Sequence, residues 1–173
     1  MTEYTTSDIR NMALVGHAGS GKTMLAEALL HSAGAITSMG SIDKGTTVTD
    51  FDELEQKHQH SLNSSLVAFQ HNGRHINLID TPGYPDFVGS ALSVLPAVET
   101  VAVVINAQRG VESTSRRMLE WARKQNQCRM LIVNRIDAED VDLEAVYHQI
   151  QEVFGKECLA VNLPAKGCTE VVD

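Results

Sequence analysis

Eight consecutive residues, Gly16-His17-Ala18-Gly19-Ser20-Gly21-Lys22-Thr23, fit the pattern G-x-x-x-x-G-K-[ST]. Each residue type has a task at that spacing. Gly16 and Gly21 let the backbone turn its N–H groups inward, making a nest for an anion. Lys22 can reach the β- and γ-phosphates of a nucleotide, and the Thr23 hydroxyl can bind Mg²⁺. A helix leaving the loop at Thr23 would point its positive end at the same phosphates. A second set, Asp80-Thr81-Pro82-Gly83, follows an apolar run. An Asp at a strand end can hold Mg²⁺, usually through water. Gly83 can offer its backbone N–H to a γ-phosphate and move when that group leaves. A third set, Asn134-Arg135-Ile136-Asp137, ends another apolar run. A carboxylate there accepts from both N1–H and the exocyclic amine of guanine. Adenine has neither donor in those places, and a buried site built for such bonds rejects the analogue that lacks them. Arg135 brings a planar head that can stack over a ring and a stem that packs as lysine does.

These residues need elements to hold them. Residues 9–15 read as a strand entering the phosphate loop, and residues 24–30 as a helix leaving it, with Leu25, Ala28 and Leu29 on one face. Residues 34–63 show no clean periodicity, and a loop that long is usually functional or mobile. Residues 66–70 and 74–80 flank His71-Asn72-Gly73, which predicts an antiparallel hairpin. The continuous apolar runs 101–105 and 130–133 read as strands covered on both faces. Helices are predicted over 112–125 and 142–154, the latter striped by Leu143, Val146, Tyr147, Ile150 and Phe154. Trp121, Met118 and Leu119 read as core or partner-facing residues. Residues 158–163 read as one more possible strand, and residues 1–8 as a loose lead-in. Strands alternating with helices predict an α/β fold with a doubly wound, mainly parallel sheet.

The chain has 173 residues, enough for one domain with a proper core, and 43% of them are hydrophobic. No run approaches the ~18 apolar residues of a membrane span. The net charge of −8 argues against this piece gripping nucleic acid directly, because phosphate contacts need clustered Lys and Arg. Cys128, Cys158 and Cys168 are too few and scattered for a disulfide framework or zinc site, and read as reduced thiols of a cytoplasmic protein. His58 and His60, paired with His71 or His75, lack the fixed spacing of three or four converging zinc ligands.

The three motifs, in this order on this strand pattern, resemble a GTPase domain of the Ras-like, P-loop NTPase fold. The segments Leu30-His31-Ser32-Ala33-Gly34 and Gly40-Ser41-Ile42-Asp43-Lys44-Gly45-Thr46-Thr47-Val48-Thr49-Asp50 look like the first switch region of elongation factor G and its relatives. Asp80-Thr81-Pro82-Gly83-Tyr84-Pro85-Asp86-Phe87 looks like their second switch. The resemblance covers nearly the whole chain. It is to the translocase-type translation GTPases, which include the tetracycline-resistance ribosomal protection proteins.

The resemblance implies GTP or GDP with Mg²⁺, hydrolysis stimulated by the ribosome, and a longer parent protein through which the ribosome is reached. It implies a GTPase core over 1–154, truncated before its last strand and last base-contacting motif. Residues 155–173 would open the family's insertion, and the piece itself would be monomeric. Lys22, Gly83 and Tyr84 would serve the reaction. Residues 16–23, 80–84 and 134–137 would bind nucleotide, and Thr23, Asp80 and Ser61 would hold the metal. Three departures stand out. Tyr84 replaces the usual His that positions the attacking water, and a phenol is a poor base or proton shuttle near neutral pH. His58-Gln59-His60-Ser61 aligns with the usual R-G-I-T, so Ser61 would supply the first-switch hydroxyl. Gly19 stands where many members carry Asp, which points to the divergent second type of elongation factor G. With Tyr84 in place, a GTP-binding switch with weak hydrolysis is the alternative.

Overall fold

The computed structural model describes residues 4–165 and 170–172. In chain order the elements are β1 (Ile9–Val15), α1 (Lys22–Ser32), α2 (Glu53–His58), β2 (Ser65–His71), β3 (Arg74–Asp80), α3 (Val88–Val94), β4 (Thr100–Asn106), α4 (Ser113–Lys124), β5 (Cys128–Asn134), α5 (Leu143–Phe154), β6 (Leu163–Ala165) and β7 (Glu170–Val172). Five of the strands form one sheet in the order β2-β3-β1-β4-β5. β1 runs parallel to β3 and β4, and β5 runs parallel to β4. Only the β2–β3 pair is antiparallel in this sheet. Asn72 and Gly73 both have positive φ, 46° and 74°, which is what a two-residue hairpin turn of matching twist requires.

Side chains of a strand alternate between faces, and both faces of this sheet are covered. Ala13, Val15, Val101, Val103 and Ile105 point to one side, where α3, α4 and α5 supply Ala91, Met118, Leu119, Ala122, Val146 and Ile150. Leu14, Leu78, Ala102 and Val104 point to the other, where α1 supplies Ala26 and Leu30. This is the doubly wound arrangement that continuous apolar strands predict, and β4 is covered on both faces as expected. β5 is not: it lies at the edge of the sheet, none of its residues is buried, and Met130 is 40% exposed. Trp121 packs against the first cluster.

Four further expectations need correction, and one helix, α3, was not foreseen. The most buried stripe of α1 is Lys22, Thr23, Ala26, Glu27 and Leu30, with Leu25 and Leu29 only partly buried. That face is turned to the sheet by its position after the phosphate loop, not by apolarity. The 34–63 segment is not structureless: it holds α2, started by Asp52, whose side chain accepts from Leu54 N. α3 was hidden because Gly89, two serines and two valines are weak helix formers. Residues 158–162 form no strand; the strand begins at Leu163 and pairs with Val172. Thr6–Asp8 forms a 3₁₀ turn, closed by a 2.6 Å bond from Thr5 Oγ1 to Asp8 Oδ2. Cys168 and residues 1–3 lie outside the described residues.

Because β1, β3 and β5 point the same way, the loops after them emerge at one edge of the sheet. Leu14 is level with Asp80, and Asn106 with Asn134. In open α/β sheets, ligands bind outside that edge.

Candidate functional site

The loop between β1 and α1 is held from three sides. Gly21 caps α1 with φ 93°, a conformation that suits glycine. A side chain there would overlap Asn134 Nδ2, which donates to Ser20 O at 2.9 Å. Ala18 N donates to Gly83 O at 3.0 Å, and a Cβ on Gly83 would stand 2.6 Å from Lys22 Nζ. So the phosphate loop touches both of the other motifs, far apart in sequence, here.

Lys22 is buried, and its Nζ donates to Gly16 O and His17 O, each at 3.0 Å. Burial disfavours its charge and brings its pKa down to about 8, against the pull of Asp80 and Asp50. Asp80 at the end of β3 is 1% exposed. Burial pushes its carboxyl up to about 6, opposed by the Thr23 bond and the Lys22 charge. Asp80 Oδ2 accepts from Thr23 Oγ1 at 2.6 Å and from Thr49 Oγ1 at 3.3 Å. Ser61 Oγ donates to Asp50 Oδ1 at 2.7 Å and lies 3.4 Å from Thr23 Oγ1. Burial also raises the Asp50 carboxyl.

Asp80 Oδ1 is buried without a hydrogen-bond partner among the described residues. An orphaned carboxylate oxygen, a second carboxylate and three hydroxyls within one small region make a set of hard oxygen donors. That set fits Mg²⁺. Thr81 instead serves the frame, donating from Oγ1 to Leu14 O at 2.7 Å.

Sequence reasoning missed the loop's anchors. Glu27 on α1 is fully buried, and its carboxylate accepts from Gly40 N at 2.7 Å and Val48 N at 2.5 Å. Glu55 on α2 is likewise buried and accepts from Leu62 N and Asn63 N at 2.9 and 3.0 Å. These two carboxylates bracket the segment that carries Thr49, Asp50 and Ser61. The Asp52-x-x-Glu55 spacing is a helix-start signature that pointed to the second anchor. A lone acid on the buried face of α1 was the trace of the first.

A cavity of about 340 Å³ opens between these parts. Ala18, Gly19, Gly21, Lys22 and Thr23 line it from the phosphate loop, Thr81, Gly83 and Tyr84 from the end of β3, and Asn134 and Arg135 from the end of β5. Ile42, Asp50, Gln59, His60 and Ser61 line it from the first-switch segment. Asp137 is exposed and is not among the lining residues. His17 turns outward, with Nδ1 2.9 Å from Glu112 Oε2.

A sheet of this order with a phosphate loop at the head of its central strand defines a P-loop GTPase fold. Residues 7–170 match the family described as "Elongation factor Tu GTP binding domain". The chain belongs to that family. It is 36% identical to the tetracycline resistance protein TetM of Ureaplasma urealyticum, over 86% of this chain and 23% of the relative. It is 35% identical to an elongation factor G-like protein of Mycobacterium tuberculosis, over 91% of this chain and 22% of the relative. A crystal structure from Thermus thermophilus superposes with a TM-score of 0.88 at 34% identity, covering 92% of this chain and 24% of that one. The matched region is thus under a quarter of the length of these relatives.

Proposed function

We propose that this chain binds GTP with Mg²⁺ and hydrolyses it, as the GTPase part of an elongation factor G-like factor acting in ribosomal translocation. One observation carries the reading: a single cavity is lined by the phosphate loop, the Asp80 strand end and the Asn134 strand end. Its volume is that of a small-molecule site. The backbone N–H groups of residues 19–23 and Lys22 hold the phosphates. Thr23, Asp80 and Ser61 hold the metal, and Gly83 answers to the γ-phosphate. Asn134 and Asp137 read guanine, Asp137 by swinging in from its exposed position. The bound metal offsets phosphate charge. Catalysis is otherwise positioning and charge stabilisation by these residues.

In this reading the core spans 1–154, and the β6–β7 hairpin opens a further subdomain. The chain is monomeric and works in the cytoplasm, reaching the ribosome through the longer protein. No described helix is long and apolar enough to cross a membrane. Titration with fluorescent GDP, GTP and ATP in Mg²⁺ tests the site. GTP and GDP bind, ATP does not, and Lys22→Ala abolishes the signal; retained affinity in that variant refutes the assignment.

Tyr84 favours a second reading. It is 42% exposed, at the position where the resemblance to elongation factor G implies a water-positioning His. The chain would then be a GTP-dependent switch with weak hydrolysis, in a regulatory or ribosomal protection factor. Phosphate release with and without ribosomes separates the two: ribosome-stimulated release removes the switch reading.

A further inference from the structure

Among the cavity-lining residues, His60 brings the one imidazole. Its ring lies against that of Tyr84, with centroids 4.6 Å apart and planes at 53°. His60 Nδ1 is 2.8 Å from the His58 carbonyl oxygen. A carbonyl only accepts, so Nδ1 carries the hydrogen and Nε2 of the neutral ring keeps its lone pair. The backbone that carries the ring is held as well. His60 N donates to Glu55 O at 3.2 Å, and the buried Glu55 carboxylate clamps Leu62 N and Asn63 N just after it. Ser61, next in the chain, reaches to within 3.4 Å of Thr23 Oγ1. A ring with a free acceptor nitrogen thus lines the same cavity as the phosphate loop and Gly83. Tyr84 offers a half-exposed phenol at the same place.

We propose that His60, rather than Tyr84, orients the attacking water, with Nε2 as hydrogen-bond acceptor and the Tyr84 ring as its support. The inference rests on the hydrolysis reading above. In the step it serves, the water oxygen bonds to the γ-phosphorus while the bridging P–O bond breaks. The bridging electron pair leaves on GDP, and the water's protons end on inorganic phosphate and in bulk solvent. The imidazole need not change charge: it aims a lone pair of the water at phosphorus by holding one of its hydrogens. Positioning of this kind is a recognised part of phosphoryl transfer.

The test uses the full-length protein with ribosomes. Single-turnover phosphate release from saturating GTP is read beside the Kd of a fluorescent GTP analogue. His60→Leu lowers the release rate about 100-fold or more, with Kd held within about twofold. His60→Gln, which keeps an acceptor near the same place, recovers part of the loss. Tyr84→Phe keeps the ring and loses less than His60→Leu. A His60→Leu protein that releases phosphate as fast as the parent overturns the inference. So does a loss matched by a rise in Kd and not rescued by Gln, which would mean that His60 only shapes the loop. A parent protein that binds GTP but releases no phosphate overturns the hydrolysis reading and this inference together, and the binding curve tells that failure from the others.

Discussion

Gly83 has no room for a side chain. A Cβ there would sit 2.5 Å from Ala18 N and 2.6 Å from Lys22 Nζ. Its carbonyl also accepts from Ala18 N, so this residue ties the end of β3 to the phosphate loop. Gly83→Ala therefore pushes Lys22 off its bonds and opens the loop. We expect a fall in GTP affinity of about tenfold or more, worth about 1.4 kcal/mol, with circular dichroism unchanged. Affinity equal to the parent would show that the loop can shift without consequence. Residues of this kind are legible in sequence because backbone approach restricts them to one type. Gly21 was found for the same reason, and Lys22 for its charge and its reach to the phosphates. Asp50 and Thr49 were not, since an acid and a threonine in a polar loop have many ordinary uses, and only the fold brings them beside Asp80.

α1 does two jobs, and the second is the less visible. Its first turn carries Lys22 and Thr23, while Glu27, one turn on, fastens residues 40 and 48. Bonds from backbone N–H to a buried carboxylate are worth about 1.5–3 kcal/mol each. Glu27→Ala removes both and leaves two donors to be rehydrated. The segment from 40 to 50 then opens far more often, while the sheet stays folded. Limited proteolysis shows this as new cleavage in that segment, and Mg²⁺-dependent nucleotide binding weakens. A variant cut no faster than the parent would mean that α2 and Glu55 hold the segment alone. Periodicity located α4 and α5 because their buried faces are apolar, as in Met118, Leu119 and Ala122 or Val146 and Ile150. It misjudged α1 because polar residues doing site work occupy the buried face. Chain patterning reports what the core needs and is blind to a buried carboxylate serving a loop.

At the scale of the molecule, two buried charges make stability depend on pH in an unusual way. Asp80 rises from 3.8 to about 6 in the folded chain. Between those values the folded state holds a proton that the unfolded state has released, so stability falls as pH rises across that window. Lys22 drops from 10.5 to about 8. Between about 8 and 10.5 the unfolded state holds more protons, so stability rises with pH there. These two groups alone put a minimum between pH 6 and 8, where both are charged and buried. The Asp80 part is on the order of 3 kcal/mol. Urea unfolding in buffer free of Mg²⁺ and nucleotide measures it. Asp80→Asn flattens the decline on the acid side, and an unchanged slope in that variant refutes the assignment.

The strand order also has a bearing on how the protein is made. β1 leaves the ribosome before the other strands of its sheet yet ends in the middle. Its partners come much later: Ile9 pairs with His75, and Met12 with Thr100. The hairpin of β2 and β3 can close locally and soon, but β1 has nothing to pair with until that hairpin exists, and one side stays open until β4 emerges. A nascent chain halted before Val103 therefore has no assembled phosphate loop and is degraded readily. Capture of labelled GDP by stalled chains of increasing length begins only after β4 and the Asn134 strand end have cleared the exit tunnel.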